Sequence, residues 1–339
     1  MKGLCGRRCS QCLLYEDCGG CSLCEASLCK GGCDICFSLC FKRPAAAAYL
    51  MSIGGAKLNL QQNRKLSFPV HIPILPDRLK IKPQHNLMPV VGIHGGNMFA
   101  RNGEKINNSY LQKGFTAALN IDEKTEGILQ FYVPDRTLEG FWDNRQAIYS
   151  DLKKMNFSGI ISPNFSVYED APRVDHLYNM KRTSIVYNEM LDIGLPAILD
   201  VSWYNKSDLE RWCSAIKAFN VKTIAFSFQV VDVALKASDL WKSYILGFRY
   251  LCKNISKDTN ILIVGAVSRN KIEEIFKASR GQKLHILNQS AFVQSRRGIS
   301  SETRKARSDL SFDELLLQNV MYFNNTYKTL FKEIQTEKD

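Results

Sequence analysis

The chain has 339 residues, 45% of them hydrophobic and 23% charged, with a formal net charge of +12. That length suits one large domain with a small appendage, and the composition excludes a mostly disordered or fibrous chain. No apolar run reaches the roughly 18 residues of a membrane span, and the start MKGLCGRRCSQC has no uninterrupted apolar stretch behind its basic residues. Neither an integral membrane protein nor a secretory signal is expected, which makes a cytoplasmic location the expectation.

Ten of the twelve cysteines fall in the first forty residues: Cys5, Cys9, Cys12, Cys18, Cys21, Cys24, Cys29, Cys33, Cys36 and Cys40. Gaps of two or three residues let tight turns aim two thiolates at one ion, and glycines such as Gly19, Gly20, Gly31 and Gly32 permit those turns. A segment this short buries too little apolar surface to fold alone, so it needs cross-links or metal. Disulfides would need an oxidising compartment, for which no export signal speaks. The expectation is a metal-binding head over residues 1–43, holding either iron–sulfur clusters or Zn2+. The first three ligands of a ferredoxin-type cluster have the spacing of Cys18, Cys21 and Cys24, and paired knuckles suit zinc. Cys5, Cys9 and Cys12 also resemble the cysteine triplet of radical S-adenosylmethionine enzymes.

Residues 44–88 follow as a linker. Arg43-Pro44 before four alanines suits a short helix start, and Gly54, Gly55, Pro69, Pro73, Pro76 and Pro83 punctuate loops around one strand near Val70–Leu75. Beyond it, short runs rich in Val and Ile occur at Val90–Ile93, Ile128–Val133, Gly159–Ser162, Ala197–Val201, Thr223–Phe228, Ile261–Gly265 and Leu284–Leu287. Between most of them the spacing predicts amphipathic helices over Phe141–Met155, His176–Asp192, Ser207–Phe219, Leu240–Asn254 and Asn270–Ala278. Ser207 and Asp208 are the expected cap of the third, and Gly194 the expected stop of the second. Strands separated by helices of this length imply parallel crossovers. Seven strands, or eight with Val70–Leu75, predict an α/β fold, a (β/α)8 barrel over residues 89–310. A doubly wound sheet is the alternative, but His94-Gly95-Gly96 is not followed by a clear helix. Phe312–Lys332 reads as a C-terminal helix, within residues 311–339, that packs on the barrel.

In such a barrel chemistry sits at the C-terminal strand ends. Those positions hold His94, Gly95, Gly96, Asp135, Asn164, Ser166, Asp200, Trp203, Gln229, Asn288 and Gln289. The set is rich in amides and hydroxyls and poor in carboxylates, which suits a planar ligand with many donors and acceptors, such as a nucleobase. Asp200 ends an apolar run and precedes Trp203, so a desolvated carboxylate with an aromatic wall is expected there.

From about His94 to Gly298 the order of these elements resembles the guanine transglycosylases, barrel enzymes that exchange a guanine in tRNA or DNA for a deazapurine. The resemblance rests on His94-Gly95-Gly96-Asn97-Met98-Phe99, Ser162-Pro163-Asn164, Met180-Lys181-Arg182-Thr183, Leu262–Gly265 with Asn270-Lys271-Ile272, and Asn288-Gln289-Ser290-Ala291 leading to Arg296-Arg297-Gly298. Asn164-Phe165-Ser166 and Val201-Ser202-Trp203 also resemble elements of an uncharacterised phage and bacterial family. The transglycosylase carboxylates are not matched: Ile93 or His94, Asn164, and Asn288, Gln289 or Ser290 occupy their places. That family's zinc site follows the barrel, whereas these cysteines precede it. The resemblance implies base exchange in which Asp200 or Asp135 serves as nucleophile and His94 as acid or base, with Arg182 among the substrate contacts.

The charge is uneven. Eight Lys or Arg face two acids from Ser52 to Lys105, and five face one from Phe292 to Ser308. Such excesses attract a polyanion, and Arg296 and Arg297, with Arg304 and Arg307, are the expected phosphate contacts. The sequence therefore predicts a protein acting on tRNA or DNA. The alternatives are an iron–sulfur redox enzyme and a non-catalytic nucleic-acid-binding module.

Overall fold

The computed structural model describes residues 46–167, 173–229, 239–266 and 268–336. The expected cysteine head lies outside them. Eight strands, β1 (His71–Leu75), β2 (Val90–His94), β3 (Glu126–Gln130), β4 (Gly159–Ile161), β5 (Ala197–Asp200), β6 (Thr223–Ser227), β7 (Asn260–Val264) and β8 (Leu284–Asn288), pair in parallel and in chain order, and β8 closes on β1. This is the α/β barrel that the alternating apolar runs predict.

The strands form because each must bury both faces. Ile72, Ile74, Val90, Ile128, Ile161, Ile198, Ala225, Leu262, Val264 and Leu287 point inward and fill the barrel with Phe68, while the alternate residues join the larger core beneath the helices. The interior is crowded enough to demand glycine in places. A Cβ on Gly92 would lie 2.7 Å from the Ile74 side chain.

The connections carry α1 (Ala46–Ser52), α2 (Gly95–Met98), α3 (Asn108–Leu119), α4 (Asp135–Lys154), α5 (Arg173–Asp192), α6 (Lys206–Ala218), α7 (Asp239–Asn254), α8 (Arg269–Ala278), α9 (Ser290–Arg296) and α10 (Phe312–Thr336). Helices α2 and α3 correct the reading that no helix follows His94-Gly95-Gly96. Helix α3 escapes a periodicity argument because Gly114 (φ 72°) breaks it in the middle. The cap of α6 is also corrected. Asn205, not Ser207, accepts from Asp208 N, and the Asp208 carboxylate answers the Asn205 N–H, a reciprocal capping box. Gly194 (φ 82°) does end α5, with Leu195 N–H returning to Met190 O.

Among the described residues no helix joins β1 to β2; the C-terminal α10 packs against β1 instead. His71 Nδ1 meets Asn324 Oδ1 at 2.8 Å, and the Tyr327 ring stands edge-on to His71. The segment 56–69 runs along α5 and then under the barrel. Lys181 Nζ donates to Lys57 O, Tyr187 Oη to Gln61 O, and Asn188 Nδ2 to Asn59 O. Asn63 then joins β5 to β6, donating to Ala197 O and Thr223 O and accepting from the N–H groups of Lys222 and Thr223. No described helix is long and apolar enough to cross a membrane.

Candidate functional site

Strand alternation decides which terminal residues reach the mouth. His94 shares a face with Val90, Gln130 with Ile128, Asp200 with Ile198, and Ser227 with Ala225, so all four point inward at the C-terminal end. Asp200 is the centre of this group. Its Oδ1 accepts from Tyr132 Oη at 2.5 Å and its Oδ2 from Asn164 Nδ2 at 2.8 Å, while its backbone N–H donates to Ser162 Oγ at 2.9 Å. Asp200 is fully buried, and Tyr132 and Asn164, themselves partly exposed, cover it. Burial pushes its carboxyl up to about 7, against the opposing pull of the hydrogen bonds from Tyr132 and Asn164. Burial, together with the adjacent Asp200 charge, raises the Tyr132 phenol well above its ordinary value. The phenol is therefore a fixed donor.

His94 pairs in register with Gln130 on the neighbouring strand. Its Nδ1 accepts from Gly96 N–H at 3.0 Å, which leaves the proton on Nε2, and burial lowers its affinity for a second proton. Near neutral pH it is a donor through Nε2. Gln130 Oε1 accepts from Tyr132 N–H, while its Nε2, fully buried, has no partner among the described residues. An arc of His94, Gln130, Tyr132, Asn164 and Asp200 thus runs from β2 to β5.

The other expected site residues divide. Asp135 opens α4 and accepts from Ser166 Oγ at 2.8 Å, and Asn179 Nδ2 donates to Ser166 O. Arg182 is buried between α4 and α5. It forks onto Glu139, donates to Asn179 Oδ1 and stacks 4.0 Å over the Phe165 ring, so its guanidinium is committed to joining the two helices. Gly95 and Gly96 begin α2; a Cβ on Gly95 would lie 2.8 Å from Gln130 O. Gln229 is exposed beyond β6, and Gln289 precedes α9. Arg296 and Arg297 are exposed at the end of α9.

Two residues point elsewhere than expected. Asn288 shares a face with Leu284 and Ile286, which belong to the core under the helices, and donates to Ala266 O and Tyr327 Oη. Trp203 is not the wall of the Asp200 pocket. It packs outward on Phe226, Tyr244 and Gly247 of α7. Tyr132 is the aromatic neighbour instead. Gln130 and Tyr132 were missed by sequence reasoning, although the two-residue alternation from Ile128 through Gln130 to Tyr132 could have found them.

Among the described residues, no group of three or more His, Cys, Asp or Glu could hold a metal ion. Cys213 and Cys252 are buried and outside any disulfide, and burial pushes Cys213 up to about 12, so it is an inert core residue.

The fold and its mouth define an eight-stranded parallel α/β barrel protein with one buried carboxylate beneath a polar, amide-rich opening. Residues 101–280 match the family described as Domain of unknown function (DUF4417), and the chain belongs to that family. The match includes Gln130, Tyr132, Asn164 and Asp200 and excludes His94, the ten N-terminal cysteines and α10. None of the curated proteins matches the chain.

Proposed function

We propose that this protein acts on nucleic acid, its mouth receiving one base and its rim holding the phosphates. One observation supports the reading: exposed Arg296, Arg297, Arg304 and Lys305 belong to the connection that leaves the C-terminal end of β8, the barrel end that also carries the arc around Asp200. Cations attract the backbone, while Asn164, Gln130 and His94 present hydrogen-bonding groups to a flat, polar base. Asp200, with a carboxyl near 7, is the group for proton transfer at neutral pH. Among the described residues it is the one carboxylate facing inward at the C-terminal end of a strand. It would also be the nucleophile if the protein exchanges bases, as the resemblance to the guanine transglycosylases implies.

The burial of Asp200 favours a second reading, binding without base chemistry, in which Asp200 only holds Tyr132 and Asn164 in place. The test compares nucleosides of tRNA and DNA, by mass spectrometry, from cells with and without the gene, and assays base release in vitro for the wild type and Asp200→Asn. A modified nucleoside that disappears with the gene and is not restored by Asp200→Asn supports the enzyme. Unchanged nucleosides with retained binding support the binding module.

The ten N-terminal cysteines would hold the iron–sulfur clusters or Zn2+ and are joined to the barrel through α1. That helix packs on Val174, Leu177 and Tyr178 of α5. Metal analysis and visible absorbance of protein purified without oxygen distinguish the two, and zinc alone would remove the redox alternative.

A further inference from the structure

The connections that follow β2 and β8 each carry a hairpin with the same bridge and flanking hydrogen bonds. After α2, Phe99 bridges Ile106; after α9, Ile299 bridges Ala306, both antiparallel. Ala100 N–H donates to Lys105 O at 2.9 Å, and Ser300 N–H to Lys305 O at 3.0 Å. At the open end Asn107 N–H donates to Met98 O and Arg307 N–H to Gly298 O, both at 2.8 Å. The tips differ: Gly103 (φ 74°) returns its N–H to Ala100 O, whereas Arg304 (φ 59°), one position further along its hairpin, returns its N–H to Ser300 O.

The two hairpins share a single identity over these eight positions, Lys105 with Lys305. Both lysines are exposed, as are Arg101 and Arg304, and none of the four makes an ion pair among the described residues. Each hairpin is also anchored by its backbone. Thr137 Oγ1 donates to Arg101 O, and Gly140 lies so close to Asn102 O that a Cβ there would come within 1.7 Å. On the other side, Asn319 accepts from Ser301 N–H at 2.6 Å and donates to Ile299 O at 3.0 Å. The turns are thus held while their cationic side chains stay free.

Strands β2 and β8, whose C-terminal connections carry the two hairpins, flank β1, and the hairpins are anchored on α4 and α10. We propose that the two hairpins form a paired phosphate grip. A single strand of nucleic acid would lie across the end of β1, contacted by Arg101 and Lys105 on one side and Arg304 and Lys305 on the other. This rests on the nucleic-acid reading above and adds a second arm to it. An amphipathic acidic peptide fits less well, because none of the large exposed apolar side chains lies in either hairpin.

The test is fluorescence anisotropy of labelled single-stranded RNA and DNA oligonucleotides with the full chain, over a range of salt. Arg101→Gln/Lys105→Gln and Arg304→Gln/Lys305→Gln should each flatten the log K against log salt slope by about 1.4 and weaken binding roughly 25-fold at 0.1 M salt. Should either pair lower the melting temperature, Lys105→Gln and Lys305→Gln alone carry the comparison, each with half that slope change. If the Arg101/Lys105 pair changes nothing while the Arg304/Lys305 pair weakens binding, the paired grip is overturned and the nucleic-acid reading survives. Equal binding of labelled polyglutamate overturns phosphate recognition. Wild-type protein that binds no oligonucleotide at low salt overturns the nucleic-acid reading itself.

Discussion

At the scale of single residues, Asp200 and His71 make opposite demands on pH. The Asp200 carboxyl is raised from 3.8 to about 7, so the folded state holds its proton more tightly than the unfolded chain does. Stability from this group is full below about pH 4 and is lost as pH rises through 7. Asp200→Asn is therefore expected to flatten the decline between pH 4 and 7, by on the order of 4 kcal/mol at most. The difference in urea midpoint between wild type and variant, followed across pH, measures it; parallel curves would contradict the assignment. His71, buried against α10 and lowered from 6.5 to about 4, works the other way. Its contribution is present above pH 6.5 and lost as pH falls towards 4. Taking the difference between two proteins that both keep His71 cancels that opposing contribution.

Elements raise a different question, namely what fixes a barrel at the end away from its mouth. The segment 56–69 has no regular structure, yet through Asn63 it satisfies two carbonyls and two N–H groups at the start of β5 and β6. Asn63→Ala would leave these groups buried without partners, at a cost of roughly 2–4 kcal/mol. A urea midpoint reports that loss, and Asn63→Asp should recover only part of it, since its carboxylate cannot donate to Ala197 O and Thr223 O. The same segment explains why α5 is a poor example of an amphipathic helix. Its residues are buried around most of the circumference, because 56–69 and α1 cover the side that would otherwise face water. The outward turn of Trp203 is likewise set by packing. Gly247 leaves room on α7 for an indole that a Cβ would meet at 2.4 Å.

For the whole molecule, closure depends on the last helix as much as on the strands. Leu315, Leu316, Val320, Tyr327 and Leu330 of α10 are buried, and Asn324 and Tyr327 serve His71 and Asn288. A chain ending before Phe312 would expose the apolar flank of β1 and β8 and leave Asn288 and His71 without those partners. It is expected to lose cooperative unfolding by circular dichroism and to aggregate. A truncated chain that melts as sharply as the full one would contradict this role.

The sequence alone determined the strands and most of the helices. A barrel strand buries both faces, so it must be written as a short run of Ile, Val and Leu, and the covering helices must alternate apolar and polar at their own period. It also placed Asp200, Asn164 and His94 at strand ends, since that follows from chain order. Tertiary structure alone decided which way the residues beyond those ends turn. Asn164, three residues past the inward Ile161, breaks the two-residue alternation and turns onto Asp200. Past the last ladder pair no hydrogen-bond register holds the alternation, and the neighbouring helix determines where there is room. The likeness of the two basic hairpins was hidden for a related reason: their common bridge and flanking hydrogen bonds are made by the backbone, which one common lysine in eight positions does not reveal.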